Sequence, residues 1–263
     1  LWGRPFMSIG EFASDDVRWP ARDRDMESPF NRSVFSVLER IEYRVCERGE
    51  DLEAIYRLRY DSYLAAGMVR EDAARMVEDR YDELPNSYRF GVYYDGVLVS
   101  TLRLHYVDSA FPVSPSSEVF GDILEPRIAR GETFVDPSRF AAAAEWSKTL
   151  RVLPYVTLRL AMLACKHFYP TYCLTAIKEE HSAFYRRVFR SVPAAGVRSY
   201  PGLTVPVHLL QSSIEANLEG IIQRFPFFRS TAFERRMLFE RPKKGELAPL
   251  TILPTARYFK QAA

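Results

Sequence analysis

The sequence predicts an α+β fold, a mostly antiparallel sheet with helices on both faces. Three observations predict it. Apolar periods of two and of 3.6 residues succeed one another in the order β-α-loop-β-β-β-α-β-α-β. Asp95-Gly96 stands between two apolar runs, YRFGVYY and VLVSTLRLHY. A tight hairpin needs positive φ at both central turn residues, which this pair tolerates. No G-x-G-x-x-G or Walker A sequence occurs, so the parallel nucleotide-binding folds lose support.

Residues 1–35 are rich in Arg, Asp, Ser and Pro and show no period. They read as a draped arm. The aromatics Trp2, Phe6, Phe12, Trp19, Phe30 and Phe35 suit a lid over an apolar opening. A domain follows over 36–241, then a loosely attached tail over 242–263.

Within the domain, Arg40 to Cys46 alternates as a strand, and Glu50 to Ala65 is an amphipathic helix that stops near Gly67. Residues 68–87 are charged and irregular, and the hairpin spans Tyr88 to Tyr106. Pro112, Pro115 and Pro126 mark 107–131 as loop. Thr133 to Ala141 is a strand in which Pro137 implies an edge or a bulge. Pro154 fits the first turn of a helix running to Phe168, apolar nearly all round and so sandwiched in the core. Thr171 to Ile177 and Leu203 to Leu210 are strands. His181 to Arg190 is a helix with a basic face, and Ile214 to Arg224 is a further helix.

Composition bounds the function. The 36 Lys and Arg nearly balance the 34 Asp and Glu, for a formal charge of +2. That argues against nucleic acid as the main partner. The cysteines Cys46, Cys165 and Cys173 are odd in number and lack C-x-x-C spacing, which fits a reduced, cytoplasmic protein. No apolar run approaches the roughly 20 residues of a membrane helix. The four histidines lack metal-ligand spacing, and no G-x-S-x-G nucleophile motif is present.

One constellation carries chemistry. Asp79 and Asp82 lie three apart before the hairpin, and Arg103 lies near the end of its second strand. The next strand carries Asp136-Pro137-Ser138-Arg139-Phe140. With Arg59 in the first helix (RLRYDSY), these residues resemble the GNAT acyltransferases, in particular the branch of acyl-homoserine-lactone synthases and long-chain N-acyl amino acid synthases. That branch carries an Arg in the first helix, a D-x-x-D before a hairpin, an R-L closing it and an acid-x-S-R-F segment on the next strand. The resemblance spans about residues 40–210. It departs at Asp136, usually Glu, and at Glu145 to Arg151, which replaces the common GNAT pyrophosphate loop. The chain also exceeds a typical lactone synthase at both ends, which favours the amino acid synthases.

The resemblance implies an N-acyltransferase. It would move a medium- or long-chain acyl group from acyl carrier protein, or acyl-CoA, to the α-amine of an amino acid. No permanently bound cofactor is implied, because the acyl-phosphopantetheine donor is a substrate. Asp136 is the implied general base and Tyr185 the proton donor to the departing sulfur. The alternatives are a structural ion pair of Asp136 with Arg139 or Arg103, and a packed aromatic at Tyr185. Arg59, Asp79, Asp82, Arg103 and Arg139 would bind the acceptor or form a network shaping its pocket. Phe134, Val135, Phe140, Lys148 and Arg151 would hold the donor, between strands that splay apart. His181 reads as a helix-start residue before a base. Two other functions stay open: a lactone synthase using S-adenosylmethionine, and a non-catalytic domain that binds a lipid or a partner.

Overall fold

The computed structural model describes residues 28–200, 202–243 and 245–260. Among these, one sheet is built from β1 (Ile41–Val45), β2 (Ser87–Tyr94), β3 (Val97–Val107), β4 (Phe134–Ala142), β5 (Tyr172–Ile177), β6 (Val192–Arg198) and β7 (Val207–Ser213). The strand order is β1-β2-β3-β4-β5-β7-β6. Every neighbouring pair is antiparallel except β4 and β5. Asp95 and Gly96 close the β2–β3 hairpin at φ 48° and 78°, the left-handed pair that such a turn demands.

The pleat divides β3 between two environments. Leu102 and Leu104 enter the main core with α6 (Leu153–Phe168), whereas Arg103 and His105 turn to the opposite face. On the α6 side lie α1 (Pro29–Leu38), α8 (Ile214–Arg224) and α9 (Ala232–Phe239). α6 buries Leu153, Leu160, Leu163 and Cys165 completely. Each such leucine contributes about 1.5–3 kcal/mol. The other face carries α2 (Gly49–Ala65), which packs on β3 and β4. Beside it lies a satellite core in which Phe120, Leu124 and Ile128 meet Phe134.

Several expectations are corrected. The stretch 107–131 contains α3 (Pro115–Val119) and α4 (Gly121–Ala129). Ser114 and Ser117 cap α3 reciprocally, and Pro115 occupies a first-turn position whose N–H needs no partner. The edge strand β6 and helix α9 also lie where no element is expected. Pro193 and Gly196 obscure the former, and an edge tolerates proline.

The folded part begins earlier than residue 36. Ser28 accepts from the Asn31 N–H, and Phe35 is buried in the core. Phe30 packs on Tyr155 and Phe227. The lid idea for Trp2, Phe6, Phe12 and Trp19 falls outside the described residues. The tail is tied in as well. Ile252 bridges Tyr43 through N–H···O bonds of 2.9 and 2.8 Å, and Ala256 is fully buried.

Candidate active site

β4 and β5 pair only at Phe134–Tyr172 and Val135–Cys173. Beyond that point they diverge and the sheet opens into a notch. Pro137, which cannot donate a backbone hydrogen bond, sits where the pairing stops. Opposite, the β3–β4 register shifts between Thr101 and Arg103, and Arg139 adopts φ 53°. This bulge lets the consecutive residues Ser138 and Arg139 face one cluster, which a regular strand forbids.

The notch holds a cavity of about 180 Å³. Its walls include Tyr63 and Met68 from the α2 side, Arg139 and Phe140 from β4, Ile177 from β5, and Tyr185 from α7 (Ser182–Phe189). Inward, Pro137, Leu158, Thr175 and Tyr185 are shared with a smaller chamber lined by Ala161, Met162, Phe189 and Ile221. Outward, Tyr63, Met68, Phe140 and His181 are shared with a third cavity at Ser147, Arg151 and the start of α6. The three cavities share walls in a row, from the outer one at Arg151 to the apolar chamber.

Behind the β4 wall lies an ionic network. Arg59 reaches both Asp82 oxygens at 3.0 Å, and both side chains are sealed. Arg103 bridges Asp79 (2.5 Å) and Asp82 (3.0 Å), and its Nε donates to Ser138 Oγ at 3.0 Å. Arg139 donates to Asp79 at 2.6 and 3.1 Å. Burial works to raise the Asp79 carboxyl, but hydrogen bonds and charge from Arg103, then Arg139, hold it well below the carboxylate range. Burial also works to lower Arg139, and Tyr63 and Asp79 overcome it and hold the guanidinium above its usual value. Asp79 and Asp82 form a reciprocal capping box around the 3₁₀ turn Arg80–Glu83. The D-x-x-D spacing thus serves the turn and the arginines together. Three arginines meet two carboxylates, and Arg139 alone among these five lines the cavity.

Asp136 lies elsewhere than expected. It is fully buried, does not line the cavities of the notch, and pairs with neither Arg139 nor Arg103. Its oxygens accept from the Ser116 N–H at 3.0 Å and the Ser116 hydroxyl at 2.7 Å. Burial raises its pKa, against hydrogen bonds from Ser114 and Ser116 and the charge of Arg103. With Asp one methylene shorter than Glu, its carboxylate is tied to Ser116 at the start of α3. Asp136→Asn is expected to keep kcat within about tenfold of wild type, because loss of a general base costs about 10²–10⁴-fold. Measuring kcat and melting temperature together checks this, and a stable variant slowed beyond about 10²-fold restores Asp136 as the base.

Other expected residues divide. Tyr185, Phe140 and Arg151 line the path. Phe134 belongs to the satellite core, stacked on Tyr172, and Val135 to the main core, so neither lines the notch. The strand places both at its paired end, below the splay. Lys148 is exposed on α5 (Ala144–Thr149) and lies outside the cavity walls. The sequence reading omits Tyr63, Met68, Tyr200 and the Ser114/Ser116 pair. An S-P-S-S capping signal marks the last two, whereas nothing local marks Tyr200.

A splayed parallel pair in an otherwise antiparallel sheet, opening onto an apolar chamber, is the arrangement of the GNAT-like acyltransferase fold. The family model described as N-acyl amino acid synthase FeeM matches residues 54–213. The chain belongs to that family and is an N-acyltransferase. Among solved structures it is similar to FeeM, an N-acyl amino acid synthase from uncultured soil microbes. There the identity is 14%, with 67% of this chain and 93% of that chain covered and a TM-score of 0.57. The acyl-homoserine-lactone synthase LasI gives 16%, 71%, 94% and 0.52 in the same order. The CoA-dependent lactone synthase MesI gives 16%, 72%, 95% and 0.51. At such identities the likeness shows the fold alone. No curated protein matches the chain.

Proposed function

We propose that the enzyme transfers a medium- or long-chain acyl group from an acyl carrier protein thioester to the α-amine of an amino acid. The observation that carries this reading is the arginine at the cavity wall. Arg59, Arg103 and Arg139 form ion pairs with Asp79 and Asp82, and of these five residues Arg139 alone lines the cavity. A substrate carboxylate fits against Arg139, and a guanidinium fork suits it. The amine of an α-amino acid then lies within a bond or two of the notch.

The donor enters from the other side. Beyond Val135 and Cys173 the facing edges of β4 and β5 are unpaired with each other, so pantetheine amides can add there as a strand does. Arg151 and the uncapped N-terminus of α6 lie at the outer end of the path, where the donor's phosphate belongs. The acyl chain points toward the chamber of Ala161, Met162, Phe189 and Ile221, about 20 Å³ as it stands, which must widen to take it. Tyr185, which lines both cavities, protonates the departing sulfur in this reading. Burial raises its phenol, which therefore stays protonated at working pH. Among the described residues no helix is long and apolar enough to cross a membrane, and a cytoplasmic site of action suits a carrier-bound donor.

A carrier protein is acidic, and Arg186 and Arg187 are exposed on α7, one turn from the notch. Opposite charge speeds docking in a salt-sensitive way. Arg186→Glu with Arg187→Glu is expected to lower kcat/KM for the carrier-bound donor about tenfold or more at low salt, and to leave the CoA thioester unaffected. Equal turnover of both donors, with no effect of the reversal, removes the carrier from the proposal.

A further inference from the structure

The reaction needs a base, and the sealing of Asp136 leaves that place open. Neither the notch cavity nor its outer extension has an Asp or Glu in its walls. Their protonatable side chains are Tyr63, Arg139, Lys178, His181, Tyr185 and Tyr200, with Arg151 in the outer cavity. Lys and Arg are cations that offer no lone pair. Burial raises all three tyrosines, so they hold their protons. An imidazole is the one side chain in this set with a ring-nitrogen lone pair that can take a proton. His181 belongs to both cavities and so stands where the donor's path meets the acceptor's chamber. It lies four residues before Tyr185, in right-handed helical backbone at φ −92°, ψ −8°, on the same face of the α7 turn. Its nearest charged neighbour is Glu180, whose Oε1 is 3.5 Å from Nε2, too long for a firm hydrogen bond.

We infer that His181 is the general base of the acyl transfer, working with Tyr185 as the acid from one helical face. The inference rests on the amine-acylating reading above. The acceptor enters as an ammonium and ends as an amide, so its nitrogen gives up two protons in turn to His181. The amine lone pair attacks the thioester carbonyl, the C–N bond forms and the C–S bond breaks. The sulfur leaves with its electron pair and takes the Tyr185 proton. One of the two protons returns to Tyr185, and the other passes to solvent. An amide, a free thiol and one proton are produced, and no other reactant is needed.

The test uses the full chain. Wild-type turnover is measured first with thioester donors and a panel of amines. Inactivity with every pair sinks the proposed function and not this inference alone. With an active pair in hand, His181→Gln and His181→Ala are compared with wild type. The expected result is a fall in kcat of about 10²-fold or more, KM for both substrates within a few-fold, and an unchanged melting temperature, since the side chain is exposed. Added imidazole is expected to restore part of the rate of His181→Ala and none of that of Tyr185→Phe. A kcat within about threefold of wild type, a loss confined to KM, or a kcat loss that imidazole leaves untouched in a stable variant overturns the assignment.

Discussion

Asp79→Ala is expected to cost about 3–5 kcal/mol of folding stability, the range for removing one partner of a buried ion pair. Asp79 binds Arg103 and Arg139 at once, through contacts of 2.5 to 3.2 Å. It also accepts from the Tyr81 N–H at 2.9 Å and so holds the turn that carries Asp82. Its removal leaves the buried guanidinium charges of Arg103 and Arg139 uncompensated. Urea unfolding at neutral pH checks this, and a loss below about 1 kcal/mol, the surface-pair range, contradicts it. The pH dependence has a definite sign. The folded-state pKa of Asp79 is depressed, so its contribution is full above the unfolded value of about 4. It fades as pH falls through the folded value. The gap between wild type and Asp79→Ala therefore stays constant near neutrality and narrows in strong acid.

Tyr185→Phe is expected to lower kcat by about 10²–10⁴-fold, the usual contribution of a positioned acid, with little change in stability. The ring packs among Phe184 and Phe189 at 5.2 and 5.7 Å, contacts that phenylalanine keeps. What disappears is the proton for the leaving thiolate. An aryl thioester leaves without protonation, so it is expected to narrow the gap between variant and wild type. Because burial holds the phenol above its usual value of about 10, wild type shows no alkaline loss from Tyr185 below that pH. An unchanged kcat with the natural thioester makes Tyr185 a packing residue only.

The parts of this fold that obey local rules were legible from the chain. Asp95-Gly96 needs no tertiary information, and the all-round apolar stretch Leu153–Phe168 has nowhere to go but between layers. Pro137 marks an edge or a bulge, and the structure has β4 inside the sheet with a bulge just beyond Pro137. Legibility fails where a residue's role depends on what lies across the sheet. Asp136 looks the same in sequence whether it faces an amine or Ser116, and only the packing of α3 against β4 decides. Phe134 and Phe140 sit six apart on one strand, yet the end of the β4–β5 pairing puts one in a core and the other at a cavity wall. The prolines around α3 and α4 read as breakers because a first-turn proline and a loop proline differ only in whether the next residues continue a helix. The arginine network was readable as a set of residues, while the place of Arg139 at the cavity wall became visible only once the pairs were formed.

The central claim is that this enzyme joins an acyl group to the amine of an amino acid. The most direct measurement is mass spectrometry of the products formed from acyl carrier protein thioester and a panel of amines. The panel holds amino acids, their methyl esters, their decarboxylated amines and S-adenosylmethionine. N-acyl amino acids are expected, with the esters and decarboxylated amines much poorer acceptors because they offer Arg139 no carboxylate. Acylation of the decarboxylated amines as readily as the amino acids, or release of an acyl lactone with methylthioadenosine, contradicts it.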